Sequence, residues 1–202
     1  MSESKAIRIK PIKKTTLSVR IAGLTPLIHH KFSQKAKEQM RRKKGGSKTK
    51  EREPLDAEAE CEAATYRLSD GSPAIPVSQV KNAMCSAAHK DLGFEKKLVR
   101  SGLFIFADEG FLCRLDTPGG KMREDVVRVG MGSADLRYRP CYEEWAVNLT
   151  IEFDADQVSP EDIVNLLERA GFGIGCGEWR PEKDGEFGRF CVDREQSIRV
   201  SA

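Results

Sequence analysis

An α+β fold is predicted by three stretches of this 202-residue chain. Trp145, Val147, Leu149, Ile151 and Phe153 alternate with Glu144, Asn148, Thr150 and Glu152, the period of a strand with one buried face. Ser159-Pro160-Glu161-Asp162 then offers an N-cap, a proline for the first helical position and acid for the first turn. Ile163, Leu166, Leu167 and Ala170 follow at helical spacing, and Gly171 stands where a C′ glycine would end the helix. Third, the stretch Gly171–Cys191 holds six glycines interleaved with Trp179, Arg180, Lys183 and Arg189, and Phe187 to Val192 reads as a short strand. The unit is strand, helix, glycine-rich loop, strand. Glycine at that density means backbone that comes close to something or takes φ > 0. N–H groups freed that way beside guanidiniums suit phosphate, which outweighs the bland reading of a flexible connection.

The rest of the chain supplies the other elements in order. Leu17, Val19 and Ile21 alternate with polar residues and give a first strand that ends at Gly23. After Leu27-Ile28-His29-His30, nine basic residues fall between Lys31 and Lys50 against one acid, Glu38. Gly45-Gly46 interrupts any helix there, and no apolar periodicity supports the segment. Residues 31–55 are therefore expected to form a mobile basic arm, with Lys31, Arg41, Arg42, Lys43 and Lys44 tying down a polyanion. Ala63 to Leu68 reads as a short strand, and Asp70-Gly71 as a turn. Ile75-Pro76-Val77-Ser78 opens a helix whose Val80, Ala83, Met84, Ala87 and Ala88 make one apolar face. Ser78 and Lys81 sit in its first turn, where free amides and the dipole hold an anion. Leu98–Phe106 and Phe111–Leu115 read as a hairpin, and residues 116–133, with Lys121, Arg123 and Arg128, as a second basic loop.

That order of elements, in one domain spanning residues 1–202, points to a ferredoxin-like or RNA-recognition-motif-like core carrying a basic insertion and a C-terminal glycine-rich loop. The net charge of +3 says little, and its clustering says more. Six cysteines show no C-x-x-C pair and read as reduced thiols of a cytoplasmic protein, not as a zinc site or a disulfide frame. The start, MSESKAIRIK, has no apolar run, so no signal peptide is expected, and no stretch is long enough to cross a membrane. No metal or cofactor is expected.

Several of these features together resemble the RAMP superfamily of CRISPR-associated proteins, in particular the backbone subunit that coats guide RNA. The carriers are the first strand with its basic insertion, the helix start Ile75-Pro76-Val77-Ser78-Gln79-Val80-Lys81, and the terminal strand, helix, glycine-rich loop and strand. The segment GEWRPEKDGEFGRF is similar to small phage and prophage relatives of that subunit. The resemblance implies a modified RNA-recognition motif and head-to-tail assembly on single-stranded RNA, with other CRISPR-type subunits as further partners. Some RAMP relatives cut RNA without metal, using a histidine near the first strand, and His29 and His30 stand in that region with Lys31 beside them. No second acid or base is fixed by spacing, so a binding protein is expected and an endoribonuclease is the alternative. A phage factor that mimics a backbone subunit would present the same surfaces. His89 reads as a polar edge of its helix, and the context of Asp56 does not support a metal-dependent cleavage site.

Overall fold

The stretch of strict alternation becomes the centre of the fold. The structure, a computed structural model, describes residues 11–32, 38, 56–93, 95–129, 133–196 and 198–201. Strand β8 (Ala146–Asp154) pairs antiparallel with β1 (Lys14–Gly23) along its whole length. On its other side β8 pairs with β4 (Leu103–Phe106), and β1 carries both β9 (Phe190–Val192) and β10 (Arg199–Ser201) on its free edge. Helices α2 (Val77–Asp91) and α4 (Pro160–Gly173) cover one face of this five-stranded sheet. The residues that set the two periods in the sequence meet there. Leu17, Val19, Ile21, Leu149, Ile151 and Phe153 pack against Val80, Met84, Ala87, Ile163, Leu166 and Leu167 in one buried cluster. Each of the larger side chains contributes about 1.5–3 kcal/mol by leaving water. On the opposite sheet face Ser18, Thr150 and Glu152 are directly paired or adjacent across the strands, and no described helix lies over it.

Helix α4 begins as its sequence indicates. The Ser159 hydroxyl accepts from the Asp162 N–H at 3.1 Å and the Asp162 carboxylate accepts from the Ser159 N–H at 3.0 Å, a capping box. Its end lies further on than expected. Gly171 stays inside the helix, where a Cβ would overlap the Phe190 carbonyl, so the glycine lets α4 lie close on β9. The left-handed glycine that stops the helix is Gly175, at φ +72°, whose N–H donates to Ala170 O at 2.8 Å.

Four other expectations are corrected. Residues 57–63 form a helix, α1 (Ala57–Ala63), capped by the Asp56 carboxylate, which accepts from the Ala59 N–H at 3.0 Å; Ala63–Leu68 is not a strand. Residues 98–102 belong to helix α3 (Lys96–Gly102), not to a strand. Strand β5 (Leu112–Arg114) pairs with β3 (Ala74–Pro76), not with β4. Finally, the supposed basic loop is a long hairpin, β6 (Lys121–Val129) with β7 (Ser133–Tyr142), and β2 (Leu27–Ile28) adds to the outside of β7. The six cysteines are free, and no described helix is long and apolar enough to cross a membrane.

Candidate nucleic-acid interface

The glycine-rich loop is built against the first turn of the chain and against itself. Leu24 N donates to Arg189 O at 2.8 Å, Gly188 N to Pro26 O at 2.8 Å, and Arg189 N to Thr25 Oγ1 at 3.0 Å. Within the loop, Cys176 N donates to Gly188 O at 2.9 Å and Phe187 N to Trp179 O at 3.0 Å. A Cβ at Gly185 would overlap Trp179 O, and one at Gly188 would overlap Cys176 O. The close approach that the glycines signal is thus backbone on backbone inside the protein. Most loop amides already have protein acceptors, which corrects the expectation that they are free for phosphate.

That leaves the loop's side chains. Trp179, in the left-handed region at φ +53°, is 41% exposed, and Lys183 is exposed. Arg180 is a staple: it donates to Gly177 O at 3.0 Å and to Glu182 at 2.9 Å. The Arg189 guanidinium lies 5.3 Å from the centre of the exposed Phe172 ring.

Helix α2 meets this loop through residues other than Ser78 and Lys81. Gln79 Oε1 accepts from the Gly177 N–H at 3.1 Å and Ser86 donates to Glu182 at 3.1 Å. A polar cavity of about 140 Å³ lies between, lined by Gln79, Asn82, Gly175, Arg180 and Glu182. Ser78 is exposed at the second helical position, with Pro76 as a cap that makes no side-chain bond. Lys81 points elsewhere: its ammonium donates to Arg100 O at 3.0 Å and Leu103 O at 2.8 Å, closing the end of α3.

The hairpin stands on the other side of the loop. Strand alternation puts Lys121 and Arg123 on one face and Arg128 on the other, which separates three cations that the sequence reading grouped. On the first face Arg123 lies opposite Arg139 and Asp125 opposite Arg137. The pairing of β2 with β7, extended by the His29 N–H to Pro140 O bond of 3.2 Å, brings His30 beside Arg139. Asp125 bonds Arg123 at 2.8 Å and lies 3.7 Å from the buried Arg139. The Arg123 guanidinium sits 4.8 Å from the centre of the Phe187 ring, so this face abuts the glycine-rich loop. Glu178 N donates to Ile28 O at 2.9 Å, which holds the loop against β2. Lys121 is held at 3.0 Å by Glu143.

Arg137, Arg139 and His30 therefore join Arg123 in a row that sequence reasoning missed. The available signal was the alternation of Arg137 and Arg139 across Tyr138, which marks one strand face. Arg41, Arg42, Lys43 and Lys44 lie outside the described residues, and Lys31 is exposed 5.9 Å from the Tyr66 ring centre.

The two histidines differ in environment. His29 is fully buried, edge-on to Tyr66 and Tyr142, with neither ring nitrogen hydrogen-bonded, and burial pushes its pKa down to about 3. His30 is half-buried; burial first, then the charges of Arg139 and Arg137, lower its pKa, while Glu178 opposes them. For His29 the stability consequence is definite. The unfolded chain protonates below about pH 6.5, whereas the folded protein holds the ring neutral down to about pH 3. Its share of stability is complete above the unfolded value and falls by about 1.4 kcal/mol per pH unit as pH drops through that window. His29→Leu is expected to remove this slope, so the urea midpoint of the variant should gain on the wild type as pH falls. A difference that stays constant across the window would mean that water reaches the ring.

No protein-family model matches the chain, and no curated protein is similar to it in sequence. Among solved structures it is similar to a chain in the cryo-EM structure of the Type III-B Cmr-beta bound to cognate target RNA, at 14% identity and a TM-score of 0.51. The match covers 93% of this chain and 61% of that one, so this chain spans about three fifths of that length. The likeness is one of fold.

Proposed function

We propose that this chain is a non-catalytic, single-stranded RNA-binding subunit of a CRISPR-type ribonucleoprotein, assembling head to tail along the strand. The observation that carries the reading is the fold likeness, across nearly the whole of this chain, to a component of an assembly bound to target RNA. The strand order supports a ferredoxin-like core. Taken in chain order, β1-α2-β4-β8-α4-β9 is a β-α-β-β-α-β run, with the strands lying in the order β9-β1-β8-β4. The basic hairpin face, Trp179 and Lys183 of the loop, and the cationic segment after Lys31 supply phosphate contacts and a stacking surface. A base at His29 would have to leave the core to reach a ribose, which favours binding over cleavage.

The test is to purify the protein from cells, treat it with RNase or DNase, and size the particles by light scattering on strands of graded length. RNase-sensitive particles whose length follows the strand are expected, with no cleavage of single-stranded RNA in EDTA. A monomer at every strand length removes the assembly. Cyclic-phosphate products that disappear in His30→Ala would establish the endoribonuclease instead.

A further inference from the structure

The face of the central sheet opposite helices α2 and α4 carries a feature that the hairpin and the glycine-rich loop do not use. Phe104 and Phe106, on edge strand β4, point to that face and are 51% and 50% exposed. Leaving two phenylalanines half exposed on a strand opposes the main force of folding, and forgoes about half of the roughly 1.5–3 kcal/mol that full burial of each ring would give. Their neighbours in register are polar: Phe104 lies opposite Glu152, Phe106 opposite Thr150, and Thr150 opposite Ser18.

We propose that β4 is a base-stacking platform, on which an unpaired nucleobase of bound single-stranded RNA inserts between Phe104 and Phe106. The inference rests on the RNA-binding reading and adds to it a second contact zone, on the far side of the sheet from the helices. Three observations support it. Residues two apart on a strand are separated by about 6.7 Å, twice the roughly 3.4 Å spacing of stacked bases, so one flat ring fits between two phenyl rings. Phe104 is held ready: the Lys81 ammonium lies 4.6 Å from its ring centre and is itself fixed by Arg100 O and Leu103 O. That contact occupies one face of the ring and leaves the other for stacking. Charge is complementary as well, since Lys96, Lys97 and Arg100 of α3 lead into β4 with Glu95 the one acid among residues 95–102. A protein partner would call for a contiguous apolar patch, whereas here two rings stand among serine, threonine and glutamate.

Fluorescence anisotropy with labelled oligo(A) RNA, repeated over a salt series, tests the platform. Phe104→Ala and Phe106→Ala are each expected to weaken binding by roughly 5- to 100-fold. The slope of log affinity against log salt should not change, because no phosphate contact is lost. Phe104→Leu keeps apolar bulk without a flat ring, and it should bind like the alanine variant. Thermal melting confirms that the variants fold, and crosslinks from 4-thiouridine RNA should map to the peptide holding residues 104–106. Wild-type affinity in the alanine variants, or in Phe104→Leu, overturns the platform and leaves the RNA-binding reading intact. A wild type that binds no oligonucleotide sinks both.

Discussion

Gly188→Ala is expected to lower the melting temperature by about 6–12 °C. Two costs add at this position. Gly188 has φ +66°, where an L-residue loses roughly 1–2 kcal/mol. A methyl group would also overlap Cys176 O, a backbone atom that cannot turn aside, since Gly188 O in return accepts from the Cys176 N–H at 2.9 Å. Relieving the overlap means opening the contact that closes the loop and its tie to Pro26 O. A total of about 3 kcal/mol corresponds to the stated shift for a chain of this size. Gly110→Ala separates the two costs. Its φ is +59°, but nothing lies within 4 Å of an added Cβ, so roughly 1–2 kcal/mol is expected. Circular dichroism melts of the two variants decide the matter: similar melting temperatures would mean that the loop is slack enough to absorb a methyl group.

The same comparison shows what the sequence could and could not convey. Periodicity located β1, β8, α2 and α4, because one face of each is buried in a single core and nearly all of the buried positions are apolar, Thr15 of β1 being an exception. The hairpin β6–β7 carries no such signal. Arg123, Asp125, Arg137 and Arg139 occupy one face, while Met122 and Val126 are exposed on the other, so neither face reads as buried. Gly130-Met131-Gly132 between the strands then favoured a loop reading, although a glycine-rich link is also what a hairpin needs. The glycine-rich loop was legible as backbone under constraint, but its partner was not. Glycine reports that something comes close, and only the fold shows that it is Trp179 O, Cys176 O and Ile28 O. Lys81 is a similar case, since its acceptors lie on an element that the sequence presented as a strand.

The cations differ in how far the protein itself answers their charge. Arg180 and Lys121 are engaged by Glu182 and Glu143, so part of their charge is already answered inside the protein. The segment from Lys31 to Lys50 has a different balance, with Glu38 its one acid among nine basic residues. Changing Arg41, Arg42, Lys43 and Lys44 together to alanine is therefore expected to produce the largest functional effect of any substitution considered. These four lie outside the described residues, and the effect follows from their charge alone. Each contact with a single-stranded phosphate contributes about 0.7 to the slope of log affinity against log salt, so four contribute about 2.8, or roughly 600-fold in affinity at about 0.1 M salt. The loss should be uniform across RNA sequences, since phosphate contacts carry no sequence information. It should also be distinguishable from loss of Phe104, which changes affinity without changing slope. Anisotropy titrations of the quadruple variant over a salt series give both numbers at once. If slope and affinity match the wild type, the basic segment is solvent-facing charge alone, and any grip on the strand resides in the folded hairpin, loop and sheet.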